Sequence, residues 1–283
     1  MTHTRQKELY GCVLACGNSF AGPPTMIHQD APHTLVKSVP ALTPVQIAYS
    51  ESTAIRSIIT GTKTHLTGAY SSRKAGCPQP WESSTELRLI QCMEADPEVE
   101  YYLAQPAVLT FRDPRGAAVR YIPDAAVDFA NGETSLIEAK QNFDDLRDLD
   151  YLAKLVAAAK VCASFGWTFR IIVSAHLNAS PAHVAALEAI QSRRHTEITL
   201  MDILSSVRRI ALRGGEVSFG ELAEMLGGDP VGTAKVHAMI AKRIFSVDLT
   251  AGVDASTPLA RMPQIHTRAQ SFRVLSAMRE NAA

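Results

Sequence analysis

The sequence predicts an α/β fold, a mixed sheet flanked by helices, followed by a smaller and mostly helical domain. Three observations predict it. Between Glu82 and Ser174 the hydrophobic patterns come in the order helix, strands, helix, strand. Within that run, Tyr121 to Gln141 reads as two alternating strands joined at Asn131-Gly132, a pair that tolerates positive φ and marks hairpins. From Pro181 onward the periodicity is mostly helical.

The elements follow in order. Residues 1–45 are expected to be a poorly ordered extension, rich in Pro, His and Thr towards Pro44. The apolar run LYGCVLACGNS is at the short limit for a signal segment and has Glu8 beside it, so no export signal is assigned. Val45 to Trp81 reads mostly as loop. A helix is expected from Glu82 to Ala95, with Leu87, Ile90 and Met93 at helical spacing. It ends at Asp96-Pro97, because the residue before proline disfavours αR. Ala107–Arg112 and Ala118–Ile122 are strand candidates turning at Asp113-Pro114-Arg115-Gly116. After the hairpin comes a long helix, Asp144 to Phe165, closed by Gly166, and then the apolar strand Thr168–Ser174. Helices are expected at Ala182–Ile190, Leu200–Leu212, Phe219–Leu226 and Val231–Arg243, with a short strand at Phe245–Leu249. Two helices about a Gly-containing turn plus a strand resemble a winged helix.

The hairpin carries chemistry. Ala125, Val127 and Phe129 alternate with Asp124, Ala126 and Asp128, and Ile137 and Ala139 alternate with Glu138 and Lys140. One face is expected in the core, with the charged residues on the other. Asp124, Glu138 and Lys140 would meet at one end. Two crowded carboxylates repel unless a cation sits between them, and hard oxygen ligands suit Mg²⁺ or Mn²⁺ and not zinc. Pro123-Asp124 followed by Glu138-Ala139-Lys140 is the PD-(D/E)xK nuclease pattern. Register supplies a condition. A plain two-residue loop pairs Asp124 with Ala139 and sends it to the wrong face; the site needs a shift of one, from a bulge or a three-residue loop. The alternative is an exposed sheet face carrying an ion pair of little energy. Asp128 reads as a helper to the site or, in preference, as a solvated strand residue, and His65 and His176 as ordinary surface histidines.

Composition sets limits. The 283 residues hold 28 basic and 28 acidic side chains and 46% hydrophobic residues, enough for a core but not for an overtly basic DNA binder. Two stretches lack acids, Thr53 to Trp81 (with Arg56, Lys63, Arg73 and Lys74) and Ala255 to Met278 (with Arg261, Arg268 and Arg273). Such arms suit DNA contact. Five irregularly spaced cysteines point to a reducing, cytoplasmic compartment with no zinc cage. No apolar run approaches a membrane span. In Val231–Arg243 only Lys235, His237, Lys242 and Arg243 are basic, which favours protein docking or a structural role over base reading.

Taken together, HLTGAYSSRK, WESSTELRLI, EADPEVEYYLAQP, YIPDAAVDF, LIEAK, GEVSFGELAEML and RIFSVDL resemble, in order, the TnsA endonuclease family, the strand-nicking subunit of heteromeric transposases. The resemblance covers about residues 60–258 and implies a PD-(D/E)xK restriction-endonuclease-like fold. It places the catalytic residues at Glu86, Asp124, Glu138 and Lys140. Glu82 competes with Glu86; Thr85 stands where the family has leucine, and Leu87 where it has arginine. It implies metal-dependent phosphodiester hydrolysis. Asp124, Glu138 and the Ala139 carbonyl would hold one Mg²⁺ (or Mn²⁺), and Glu86 would assist a second ion. The implied activity is nicking of the 5′ ends of a transposon. The implied partners are transposon-end DNA, a TnsB-type DDE transposase and a TnsC-type ATPase regulator. The alternatives are a free-standing restriction or repair nuclease, and an inactive adaptor tethering transposase to regulator. The domains expected are an extension at 1–45, the nuclease at 46–178, a winged-helix-like domain at 179–258 and a basic tail at 259–283.

Overall fold

The computed structural model describes residues 66–112 and 116–262, together with the main chain of strands at 12–13, 25–26, 34–39 and 42–49. The first strands are β1 Cys12–Val13, β2 Thr25–Met26, β3 Thr34–Val39 and β4 Leu42–Tyr49, followed by β5 Gly68–Ser71 and β6 Pro78–Trp81. Helix α1 spans Ser84–Ala95. Then come β7 Val99–Ala104, β8 Ala107–Arg112, β9 Ala118–Tyr121, β10 Ala125–Phe129 and β11 Thr134–Lys140. A 3₁₀ turn, Phe143–Leu146, precedes α2 Leu149–Ser164, and β12 Thr168–Val173 leads into the short α3 Ser174–Leu177. The C-terminal part holds α4 Pro181–Arg193, α5 Leu200–Leu212, β13 Glu216–Ser218, α6 Phe219–Met225, α7 Val231–Ala241, β14 Phe245–Ser246 and β15 Pro258–Arg261.

The architecture is mixed α/β. One five-stranded sheet runs β1-β12-β11-β10-β7, and a second runs β2-β3-β4-β8-β9. In the first, β11 pairs antiparallel with β10 and parallel with β12. A parallel pair needs a crossover, and α2 is that crossover. Within the expected extension and loop the structure has β1 to β6; β7 also lies where only a motif was read, in EADPEVEYYLAQP. The residues of 1–65 outside the four strands, His65 among them, lie outside the described residues, as do 113–115 and 263–283, most of the expected basic tail.

The central hairpin is buried on both faces, which corrects the expectation of one solvated face. Ala125, Val127, Ile137 and Ala139 pack with Leu89, Ile90 and Met93 of α1. Ala126 and Leu136 pack on the opposite face with Leu155, Ala158 and Val161 of α2. The crossover helix α2 covers one face and α1, which precedes β7, covers the other, so the charged members of the alternation are confined to the strand ends. Asp128 is accordingly not solvated. It is 4% exposed and accepts from the Thr134 hydroxyl at 2.6 Å.

Helix ends follow local chemistry. Ser83 caps α1 by accepting from the Glu86 N–H, and Asp96 closes it. The long helix begins five residues later than the expected Asp144. Asn142 caps the 3₁₀ turn, and Asp148 then accepts from the N–H groups of Asp150 and Tyr151 and starts α2 proper. Gly166, at φ +75, ends that unit.

In the C-terminal part β13, β15 and β14 form a three-stranded sheet in that order, beside α5, α6 and α7. Its apolar residues, among them Leu187, Ile190, Leu222, Met239 and Phe245, join Leu89 and Met93 of α1 in one cluster. Gln191 Nε2 donates to the Gln91 carbonyl at 2.8 Å, and Arg243 Nε donates to the Pro97 carbonyl at 2.7 Å, so polar bonds also cross from this part to α1 and the turn after it.

Candidate nuclease site

The β10–β11 connection has three residues. The Phe129 N–H donates to the Glu133 carbonyl and the Gly132 N–H to the Phe129 carbonyl, both at 2.8 Å, leaving Ala130, Asn131 and Gly132 as the loop. Gly132 has φ +77, a conformation that only glycine takes without strain. The register is Ala125↔Ile137 and Ala126↔Leu136. Continued by one residue, it sets Asp124 opposite Glu138. Cross-strand partners share a face, so the loop brings both carboxylates to one side, with Lys140 next along the same face. The expected shift of one is present.

The contacts at this sheet end are specific. Asp124 is half-buried, and its Oδ2 accepts from the Ala139 N–H at 2.7 Å. A strand residue directs its N–H and carbonyl to the same side, so the Ala139 carbonyl also faces the Asp124 strand. Glu138 is 4% exposed. Its Oε2 accepts from the Tyr121 hydroxyl at 2.5 Å, and its Oε1 accepts from the Tyr151 hydroxyl and pairs with Lys140 Nζ at 2.8 Å. Lys140 also lies over the Tyr151 ring, 4.8 Å from its centroid.

Electrostatics follow from this crowding. Burial, then the charges of Glu138 and Glu86, hold the Asp124 carboxyl well above the usual range. Burial alone would lower Lys140, but the charge of Glu138 and the hydrogen bonds Lys140 donates to Glu138 and Tyr151 outweigh it and raise the ammonium above its ordinary value. Burial, followed by the charge of Glu138, raises both Tyr121 and Tyr151, so both phenols stay protonated donors.

The start of α1 lies against this end of the sheet. The Thr85 hydroxyl donates to Gln141 Oε1 at 2.7 Å, tying the helix to the residue after Lys140. Glu86 Oε2 accepts from the Glu82 N–H at 2.9 Å and Oε1 from the Ser83 hydroxyl at 3.2 Å. Glu86 is thus a helix-capping carboxylate close enough to act on Asp124. Glu82 turns elsewhere and accepts from Gln105 Nε2 at 3.2 Å. Gln105 itself has φ +46, uncommon for a residue with a Cβ, and its N–H donates to the Asp124 carbonyl at 2.9 Å. It joins the helix entry to the Asp124 turn.

Among the described residues no group of three or more His, Cys, Asp or Glu side chains is arranged to hold a metal. The donor set here is two carboxylates and a main-chain carbonyl, all oxygen. A carboxylate offers about four lone-pair sites, and Glu138 uses three, two on Oε1 and one on Oε2. Asp124 Oδ1 accepts no hydrogen bond among the described residues. One position on Glu138, one oxygen of Asp124 and the Ala139 carbonyl therefore fit a hard divalent cation, whose charge would relieve the repulsion that raises Asp124.

Other sequence expectations resolve one by one. Lys74 is not a surface charge for DNA. Its Nζ donates to the Met93 and Asp96 carbonyls at 2.7 and 2.5 Å, capping the end of α1, and burial pushes it down to about 7. His176 is half-buried, accepts from the Val173 N–H and meets Phe143 edge-on. The basic residues of α7 and its end turn inward. Lys235 pairs with Asp202 at 2.9 Å, Lys242 donates to the Thr196 carbonyl at 3.3 Å, and His237 is 5% exposed. Tyr121 and Tyr151 were missed by sequence reasoning. Tyr121 stands three positions before Asp124, but Tyr151 reaches Glu138 only through the packing of α2. Cys77, Cys92 and Cys162 carry no disulfide, and among the described residues no helix is long and apolar enough to cross a membrane.

No curated protein matches the chain. A family model does: residues 96–174, the stretch holding Asp124, Glu138 and Lys140, match the TnsA-like endonuclease N-terminal domain, and over that length the chain is similar to a TnsA-type nuclease.

Proposed function

We propose that the protein is a cytoplasmic, metal-dependent DNA endonuclease that nicks the 5′ ends of a transposon, working with a TnsB-type transposase and a TnsC-type ATPase regulator. The observation that carries this reading is the three-residue loop, which sets Asp124 against Glu138 with Lys140 beside them, inside the stretch similar to the TnsA-like domain. A bound Mg²⁺ or Mn²⁺ would stabilise charge on the scissile phosphate and activate water. The residues to hold it are Asp124, Glu138 and the Ala139 carbonyl, with Glu86 assisting at the helix start. Lys140, kept protonated by Glu138, supplies a fixed positive charge at the phosphate. The buried surroundings strengthen each of these interactions by excluding water.

The order α5, β13, α6, α7, β14, β15, with β15 between β13 and β14, supports a winged-helix-like reading of 179–258 beside a nuclease part at 46–178. Its role in this proposal is docking and support, because Lys235, Lys242 and Arg243 are spent on internal bonds. With no net charge and few free base-reading groups, the chain should cut poorly alone and well beside its partners. The test is nicking of supercoiled plasmid and of transposon-end DNA with Mg²⁺ at about 150 mM salt, roughly physiological, with and without transposase and ATPase. Strong cutting of bare plasmid by the isolated chain would favour a free-standing nuclease. No cutting in either case would favour the adaptor.

A further inference from the structure

Glu138 is held more tightly than a metal ligand needs to be. Its Oε1 has both acceptor positions filled, by the Tyr151 hydroxyl and by Lys140 Nζ at 2.8 Å. Its Oε2 has one filled, by the Tyr121 hydroxyl at 2.5 Å. The two tyrosines come from different elements, β9 and the first turn of α2, so the carboxylate is gripped from the strand side and the helix side. Lys154 lies over both rings, 5.2 Å from the Tyr121 centroid and 5.5 Å from that of Tyr151, and holds them as a pair.

A carboxylate gripped in this way presents one open position, on one oxygen. Two-oxygen chelation needs a free position on each. Ca²⁺ accepts six to eight oxygens and often takes a carboxylate through both, whereas Mg²⁺ requires near-octahedral geometry and takes single oxygens plus water. The geometry points to Tyr121 and Tyr151 as positioning residues that hold Glu138 to one-oxygen ligation and thereby make the site select Mg²⁺ over Ca²⁺. This inference rests on the reading of Asp124 and Glu138 as a cation site. Tyr151 blocks the second oxygen, so it governs selectivity. Tyr121 orients the ligating oxygen, so it governs affinity for either ion.

The test uses the full chain and Mn²⁺ as a probe, following displacement of bound Mn²⁺ by Mg²⁺ or Ca²⁺ through the EPR signal of free Mn²⁺. Tyr151→Phe should lower the preference for Mg²⁺ over Ca²⁺ by about tenfold, in line with the 10–100-fold effects of removing groups that support a ligand. Tyr121→Phe should weaken both ions together by about tenfold. Tyr151→Leu, which also removes the ring, should reproduce the selectivity change. Equal weakening of both ions by the Tyr151 variants, or a ratio unchanged within about twofold, would overturn the inference and leave a merely structural tyrosine. Asp124→Ala separates the two levels. It should abolish Mn²⁺ binding, and if binding persists the cation site lies elsewhere and both readings fall.

Discussion

At the sheet end, Asp124, Glu138 and Lys140 are packed together with Glu86 near by, and the ionised form of Asp124 is disfavoured by burial and by the charges of Glu138 and Glu86. In the C-terminal part, from α5 to β15, the interior is Ile210, Leu222, Val236, Met239, Phe245 and Leu259, and Arg209, Arg213, Lys235 and Lys242 are engaged in ion pairs or a bond to a main-chain carbonyl. Its surface carries the opposite surplus: Leu200, Met201, Leu204 and Leu212 of α5 are 53–73% exposed. One region concentrates like charge where repulsion costs stability, and the other buries apolar groups that favour the fold. A chain tolerates such repulsion where a bound cation relieves it, which is the role proposed for Mg²⁺ at this sheet end, while the stability resides in the remainder.

The comparison breaks most sharply at the carboxylates. Asp124→Ala and Glu138→Ala should each cut nicking by about 10³-fold or more, a loss comparable to removing one key electrostatic group in other enzymes. Circular dichroism should show the fold retained, with Asp124→Ala at least as stable as the parent, because repulsion has been removed. Loss of folding would make these residues structural. Lys140→Ala should also lose cutting while still assembling with transposase and ATPase in pull-down.

On the apolar side, Phe245→Ala should cost about 3–5 kcal/mol in chemical denaturation, because the ring is fully buried and leaves a cavity. Mn²⁺ affinity of the fraction that remains folded should not change.

His237 sharpens the contrast through pH. Burial, then the charge of Arg193, lower its imidazole to about 4 from 6.5. Between those values the unfolded chain binds a proton that the folded chain refuses. Stability is therefore complete above the ordinary value and falls as pH drops towards 4, by roughly 3 kcal/mol at most. Urea midpoints measured across that window should fall for the parent and stay flatter for His237→Leu.

The smallest effect is expected at Lys235, a partly exposed ion pair with Asp202. Lys235→Ala should change stability by less than about 1 kcal/mol. It should leave DNA affinity unchanged in a filter-binding titration; a clear loss there would return α7 to base reading.

By itself the sequence determined the parts governed by local rules. The stop at Asp96-Pro97 ends α1, whose start was expected at Glu82 and is set by the Ser83 cap, and Gly166 ends the α2 unit. The alternation about Asn131-Gly132 contains the hairpin and its polar ends, and the proposed site follows once the register shifts by one. These rest on backbone sterics and periodicity, which act within a few residues. Tertiary structure decided what depends on distant partners. It covered both faces of the hairpin, because the parallel pairing with β12 brought α2 across one face while α1 packed on the other. It buried Asp128, turned Lys74 inward to cap α1, and added β7 as the edge strand beside β10. It also brought Tyr121 and Tyr151 to Glu138, from 17 and 13 residues away. No periodicity within one segment encodes such a meeting, because it arises only when two elements pack against the same strand end.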